Sequence, residues 1–493
     1  MGQFLTITNA DAFAAGDIPV LAPDDFRDAV SVMLTAEARL VALHAWDFPD
    51  ERRLVAILAD EGLQHLLATS CPVGDEYPAF TPECPAAHLF EREIYEDFGI
   101  TPLGHPWLKP LRRAAPGRKI GDIDFFKVQG AQLHEVGVGP VHAGVIEPGH
   151  FRFACDGEKV LHLEISLGYQ HRGLMRKFMA ADAFTRGKIV ETVAGDSSIA
   201  HSLAYARAVE GLRGMRVSET VDAWRAMALE LERLANHVGD LGALSGDAGF
   251  LPSASYCGRL RGDILNTTAL LCGNRFGRNF ITPGGLVVTP ENGMTATLRD
   301  RVAKSLRECS GAVELLLDTP SVLARFDEIG KISADTAREL GMVGVAARAA
   351  GLDIDVRYDF PVCGLYAASG FAPETDKTGD VCARARVRWA ECRQSFALLD
   401  KWLELLDGLG TKDEGGAAGL RPEMGVVSLT EGWRGEVCHI AFTDARGELS
   451  GYRIVDPSFH NWQGLAMALR DEEISNFPLC NKSFNLSYCG VDL

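Results

Sequence analysis

Three stretches of this chain repeat an apolar residue every third or fourth position over several turns. That periodicity commits these stretches to long packed helices. Trp224, Met227, Leu231, Leu234, Val238 and Leu241 make the first stripe, Leu298, Val302, Leu306, Cys309, Val313 and Leu316 the second, and Phe396, Leu399, Leu403 and Leu406 the third. Elsewhere the pattern changes. Arg39 to Asp47 and Arg53 to Ala59 are β-rich runs joined by Phe-Pro-Asp-Glu, the punctuation of two adjacent strands. Gly139 to Phe153 with Lys159 to Ile165, and Glu436 to Ile440 with Gly451 to Val455, read as further strand–turn–strand units. The expected fold class is α+β: a small α+β N-terminal domain (residues 1–120), then a mostly helical domain (121–493) flanked by small antiparallel sheets. Ala114-Ala-Pro-Gly117 is the expected linker between them.

A net charge of -18 argues against nucleic acid as a partner, because phosphate contact needs a positive face. One basic island, Lys109, Arg112, Arg113, Arg118 and Lys119, reads as a solvated linker or a docking patch for an acidic partner. Twelve cysteines without a Cys-x-x-Cys pair suggest reduced, buried thiols rather than a disulfide framework. The N-terminus shows no secretory pattern, and the longest uncharged run, Phe360 to Pro373, is too short and too broken to span a bilayer. A membrane role would have to come from partners. No Gly-x-Gly-x-x-Gly opens a helix and no Walker A sequence occurs, so neither NAD nor ATP is an expected ligand.

Several blocks carry a resemblance. Phe90 to Leu111, beginning Phe-Glu-Arg-Glu-Ile-Tyr-Glu-Asp-Phe-Gly, is similar to the signature of the 30-kDa subunit of respiratory complex I. Gly139-Pro-Val-His142, Leu167 to Gly173, His201-Ser-Leu-Ala-Tyr205, Glu232 to His237, Asn274-Arg-Phe276 with Pro283-Gly-Gly285, Arg434-Gly-Glu436 and Asp456-Pro-Ser-Phe459 follow in order. Together they resemble the 49-kDa subunit of complex I and the large subunit of group 4 membrane-bound hydrogenases such as formate hydrogenlyase. The fusion of the two parts is itself a hydrogenlyase-type arrangement.

In that family each of two motifs holds a Cys-x-x-Cys pair that binds nickel and iron. Laid on the pattern, Glu191 to Glu210 puts Ala194 and Ser197 at the first pair, and Phe477 to Leu493 puts Ser487 and Gly490 at the second. Ala and Gly offer no ligand, and a Ser hydroxyl is a hard, protonated oxygen donor where soft thiolates are needed. The resemblance also implies a C-terminal extension removed after nickel insertion, whereas the sequence runs only to Leu493. The expectation is no metal and no cofactor in this chain.

The complex I resemblance implies a quinone held between a hairpin histidine and a tyrosine, with an aspartate on a nearby helix. His142, His150 and Asp247 match the histidine and aspartate positions, and the tyrosine position falls on Gly195. These three are the candidate catalytic proton donors, weighed against an equally ordinary structural role. Arg278 falls where relatives place a residue beside the partner's terminal iron–sulfur cluster, and His171 and Arg172 are expected at the same interface. The resemblance implies a peripheral subunit on the cytoplasmic side of the cell membrane. Its partners would be a small iron–sulfur subunit resembling the complex I 20-kDa or hydrogenase small subunit, and antiporter-like membrane subunits. It would couple electron transfer, with quinone as an acceptor, to ion translocation. Two alternatives stand beside this reading: a non-catalytic coupling or scaffold subunit, and a hydrogenase large subunit with an atypical nickel site.

Overall fold

The computed structural model describes residues 2–113, 118–130, 132–143, 146–288, 290, 293–361, 363–406 and 419–493. The fold is α+β. A four-stranded antiparallel sheet opens it, in the order Leu5–Ile7, His65–Pro72, Arg52–Asp60, Arg39–Asp47. Its two longest strands pair from Arg39 opposite Ala59 to Asp47 opposite Arg52, with one irregularity between Leu40 and Ala42. Leu40 to Trp46 are buried without alternation. Both faces of the strand are therefore covered, which is why the sequence reads as a continuous apolar run. Helix His88–Phe98 ends at Gly99, whose φ of 72° is the left-handed C-cap that glycine adopts without a Cβ penalty.

The strands Leu133–Val138, His150–Asp156 and Lys159–Ser166 make a three-stranded antiparallel sheet. A second four-stranded sheet contains Leu449–Val455, Gly435–Thr443, Met424–Gly432 and, at its edge, Ala12–Ala14 from the start of the chain. The two sequence domains also share one apolar core, in which Phe26, Trp46 and Phe90 cluster with Phe151, Phe459 and Trp462. The linker expected at 114–117 lies outside the described residues.

The helical stripes face a second core. The helices Glu219–Asp247, Leu251–Cys272, Met294–Leu317 and Val381–Leu406 pack together, burying the Trp224-to-Leu241 stripe. Ser218 caps the first of them through its hydroxyl to the Val221 N–H at 3.4 Å.

This core is not wholly apolar. Glu391, on the last long helix, accepts from Arg348 Nε at 2.9 Å and from His237 Nε2 at 2.9 Å. Arg348 also donates to Glu431 at 2.8 Å, and Arg357 pairs with Asp355 at 2.7 Å. Glu230 collects Tyr366, Ser395 and Arg357. Arg233 donates to the carbonyls of Glu431 and Gly432, so the network holds the tight turn that presents Arg434.

The basic island is corrected. Lys109 pairs with Glu164 at 2.6 Å, Arg112 is buried against Glu93, and Arg113 reaches Asp97 at 2.7 Å. The island lacks acids only in sequence. Tertiary packing supplies them, so Lys109 and Arg112 form neither a solvated linker nor a docking patch.

Candidate functional site

Packing brings the two motifs that resemble metal-binding stretches together. Ala194 and Ser197 precede the helix Ser198–Arg213, and Ser487 caps the helix Tyr488–Asp492 by accepting the Gly490 N–H at 3.0 Å. All four positions are buried. Arg434 ties the motifs to each other: its guanidinium donates to both carboxylate oxygens of Asp196, at 2.6 and 2.9 Å, and through Nε to the Asn485 carbonyl at 2.5 Å. Its charge lies 3.9 Å above the Trp433 ring, and Nη1 is 3.5 Å from the Ser197 hydroxyl.

Asp456 stands against Gly490. A Cβ added at Gly490 would meet the Asp456 carboxyl group at 2.6 to 3.0 Å. Asp456 is itself fixed, accepting from the Ser458 N–H at 2.8 Å and pairing with His201 Nε2 at 3.2 Å. Burial alone would raise its pKa, but His201 and the charge of Arg434 hold the carboxyl below its ordinary range. The chain continues inward from His201 Nδ1 to His439 Nε2 at 3.1 Å and from His439 Nδ1 to the Tyr452 hydroxyl at 2.7 Å. Burial keeps His439 neutral.

These residues do not fit a nickel–iron centre. The positions the resemblance assigns to thiolates carry no thiol, the Ser487 oxygen is engaged as a helix cap, and Asp456 occupies the approach to residue 490. Cys489 alone cannot replace a pair contributed by a distant segment; burial and the neighbouring Glu147 push its thiol up to about 12. Cys480 packs at Gly330 and Arg384 instead. No group of three or more His, Cys, Asp or Glu able to hold a metal occurs among the described residues.

Outside the clamp lies an open groove of about 470 Å³. It gathers His171, Arg172 and Arg278 with Gly195, Glu147 and Cys489. Arg172 donates to the carbonyls of Thr192, Val193 and Cys489, at 2.7, 3.0 and 3.2 Å, stitching the motifs together a second time. His171 Nδ1 pairs with the Asp492 carbonyl at 2.7 Å. Arg278 reaches the Ser198 hydroxyl at 3.5 Å. Nothing lies within 4 Å of where a Cβ would stand at Gly195, so the groove has room there. Two cations, an imidazole and one acid around a protonated thiol suit a polar or anionic guest rather than a metal ion.

The structure does not gather the three predicted proton donors at this groove. His142 bonds the Gly149 carbonyl through Nε2 at 2.9 Å, and His150 stacks beside Phe125 with a buried, unpartnered Nδ1. Asp247 is exposed in the last turn of its helix. Glu147, between the two histidines, is the hairpin residue that lines the groove, accepting from the Tyr488 and Cys489 N–H groups at 3.1 and 3.3 Å. Sequence reasoning passed over Glu147 because a lone glutamate beside Pro and Gly reads as a turn. The one available signal was its place on a hairpin already singled out.

A buried acid supports the site from behind. Glu232 accepts from the Ile199 and Ala200 N–H groups, at 2.7 and 3.2 Å, at the start of the helix after Ser197. Burial, with a smaller push from Asp196, raises its pKa from 4.5 to about 8 against those hydrogen bonds. Between these values the native carboxyl keeps a proton that the unfolded chain has released, so its contribution to stability falls as pH rises. Glu232→Gln is expected to flatten that decline, on the order of 2 kcal/mol across the window, in denaturant titrations at pH 5 and 8. An unchanged slope would mean that Glu232 is ionised in the native protein.

Comparison with known proteins agrees with this architecture. The respiratory-chain NADH dehydrogenase 30 Kd subunit family matches residues 20–115, and the 49 Kd subunit family matches residues 247–418. Formate hydrogenlyase subunit 5 of Escherichia coli is 30% identical over 442 residues, 85% of this chain and 77% of that protein. Hydrogenase-4 component G of the same organism is 29% identical, over 85% and 76%. NADH-quinone oxidoreductase subunit 4 of Thermus thermophilus is 30% identical, over 70% and 90%. A chain of the membrane-bound sulfane sulfur reductase, an archaeal respiratory membrane complex, shares the fold with a TM-score of 0.69 at 21% identity, over 73% of this chain and 99% of that one. No helix among the described residues is long and apolar enough to cross a membrane. With both complex I domains fused in one polypeptide and these relatives across most of its length, the chain belongs to the family of group 4 hydrogenase large subunits.

Proposed function

We propose that this chain is a peripheral-arm subunit of a membrane-associated oxidoreductase complex and works without a nickel–iron centre. The observation that carries this reading is the pair Asp456 and Arg434, a carboxylate against Gly490 and a guanidinium joining the two motifs where four thiolates would be needed. The groove outside that clamp faces a small iron–sulfur subunit, whose cluster lies near Arg278, His171 and Arg172. Positive charge there favours the reduced cluster and raises its potential. Electrons pass to a quinone-like acceptor in the open space at Gly195. Glu147, which lines the same groove, relays protons to it, with His142 and His150 on the same hairpin and Asp247 outside the groove. Ion-translocating, antiporter-like membrane subunits anchor the assembly at the cytoplasmic face.

The test is elemental analysis and turnover of the purified complex. Nickel should be far below one atom per chain, with neither hydrogen uptake nor evolution, while a quinone analogue is reduced. Removing one positioned proton donor commonly costs on the order of 10²-fold in rate, so Glu147→Gln should slow that reduction without loss of assembly. Stoichiometric nickel with hydrogen turnover would overturn the proposal. Absence of any quinone-dependent turnover in the wild type would leave this chain a coupling scaffold.

A further inference from the structure

Four buried titratable side chains behind the clamp form one hydrogen-bonded line that the groove chemistry leaves unused: Asp456, His201, His439 and Tyr452. They come from four elements. Asp456 caps the helix Pro457–Ala468, and His201 sits in the helix Ser198–Arg213. His439 and Tyr452 belong to the paired strands Gly435–Thr443 and Leu449–Val455. There Tyr452 lies opposite Ala441, two residues from His439, so both side chains point to one face of the sheet.

Asp456 sets the direction of the whole line. Its Oδ1 accepts from the Ser458 N–H and its Oδ2 faces His201, and an ionised carboxylate can only accept. His201 Nε2 therefore carries a proton, and in a neutral ring that leaves Nδ1 as the acceptor for His439 Nε2–H. By the same rule His439 Nδ1 accepts from the Tyr452 hydroxyl. The links, 3.2, 3.1 and 2.7 Å long, lie within the ~2.6–3.2 Å reach of proton transfer. At the inner end, Asp456 abuts Gly490, next in sequence to Cys489 on the groove wall. At the outer end, the Tyr452 ring centre lies 6.3 Å from that of Tyr205, which lines an open cleft of about 590 Å³ with Arg186 and Arg213. No residue lines both cleft and groove, so the line runs through the core between two separate surfaces.

We propose that Tyr452, His439, His201 and Asp456 form a proton relay from the cleft at Tyr205 to the buried side of the two motifs. In one concerted shift the Tyr452 oxygen takes a proton from solvent hydronium in the cleft, past Tyr205, and passes its own to His439 Nδ1. His439 passes its Nε2 proton to His201 Nδ1, and His201 passes its Nε2 proton to Asp456. Each ring gains one N–H as it loses another, so neither imidazole becomes charged and one proton arrives at Asp456. Burial disfavours both a tyrosinate at 452 and an imidazolium at 439, which is why the shift is concerted. An electron arriving at the groove raises the proton affinity of Asp456, and the relay answers it with a proton. That last step rests on the function proposed above, whereas the relay rests on its hydrogen bonds.

The test has two readouts. In the full-length chain carrying isotope-labelled histidine, nitrogen NMR at neutral pH should show His201 and His439 as neutral rings protonated at Nε2, with His201→Gln and His439→Gln assigning the signals. Tyr452→Phe keeps the ring against Phe178 and removes only the hydroxyl. It should leave both tautomers in place yet slow exchange of the two imidazole N–H groups with solvent ~10-fold or more, which a structural role would not do. In the purified complex the same variant should slow reduction of a quinone analogue ~10-fold or more, and His439→Gln should do likewise. Should His439→Gln misfold, Tyr452→Phe decides. An imidazolium at His201, or N–H exchange unchanged in Tyr452→Phe, would overturn the relay. Wild-type turnover in Tyr452→Phe would overturn it as the source of protons for the site. If the wild-type complex reduces no quinone analogue but N–H exchange falls as expected, the relay stands and the acceptor reading fails.

Discussion

Introducing a side chain at position 490 is expected to destabilise the protein by about 2–4 kcal/mol, the range of overpacking at a site that cannot relax. The Cβ of Gly490→Cys would meet the Asp456 carboxyl at 2.6 to 3.0 Å, closer than real Cβ contacts come. Asp456 cannot swing away cheaply, since it caps the helix Pro457–Ala468 through the Ser458 N–H and pairs with His201. Backbone strain adds nothing, because Gly490 is not in the left-handed region. The same substitution in an Asp456→Ala background should cost less than about 1 kcal/mol, and the double-mutant cycle isolates that coupling from the loss of the His201 contact. Equal costs in both backgrounds, measured by denaturant unfolding, would remove Asp456 as the obstacle.

Glu391→Leu is expected to cost about 3–5 kcal/mol, the penalty of leaving buried charges without their partner. The carboxylate sits with no exposure between Arg348 and His237, with Arg357 nearby. Burial opposes its ionisation, but the charges of Arg348 and Arg357 and the hydrogen bond from His237 hold the carboxyl well below its ordinary pKa. Because that pKa is depressed, its stabilising contribution is present above the unfolded value and is lost only as pH falls through the folded one. The deficit of the variant should therefore be constant from pH 6 to 8 and shrink in acid. A loss under about 1 kcal/mol would mean that the network is neutral in the native protein. The effect should reach the site, because Arg233 in the same network holds the turn that carries Arg434.

The helices were legible because a stripe such as Trp224 to Leu241 needs only local periodicity, and the strands Arg39–Asp47 and Arg52–Asp60 because β-rich runs and a turn are local too. The absence of thiols at the four motif positions was equally plain. The stripes nevertheless concealed the charged core: Glu391 and Arg388 lie on a helix that reads as amphipathic, and nothing near them in sequence announces their partners. The basic island misled for the same reason in reverse, since Glu164 is far from Lys109 along the chain and 2.6 Å from it in space.

Sequence by itself determined the element types, the α+β class and which side chains are missing from the metal positions, because each of these depends on a residue or its near neighbours. Tertiary structure alone decided what stands in their place. Arg434, Asp456 and Glu147 come from separate segments, and their roles rest on distances of about 3 Å that only the packed fold sets. Charge pairing and steric exclusion act through space, and a linear reading carries no measure of that separation.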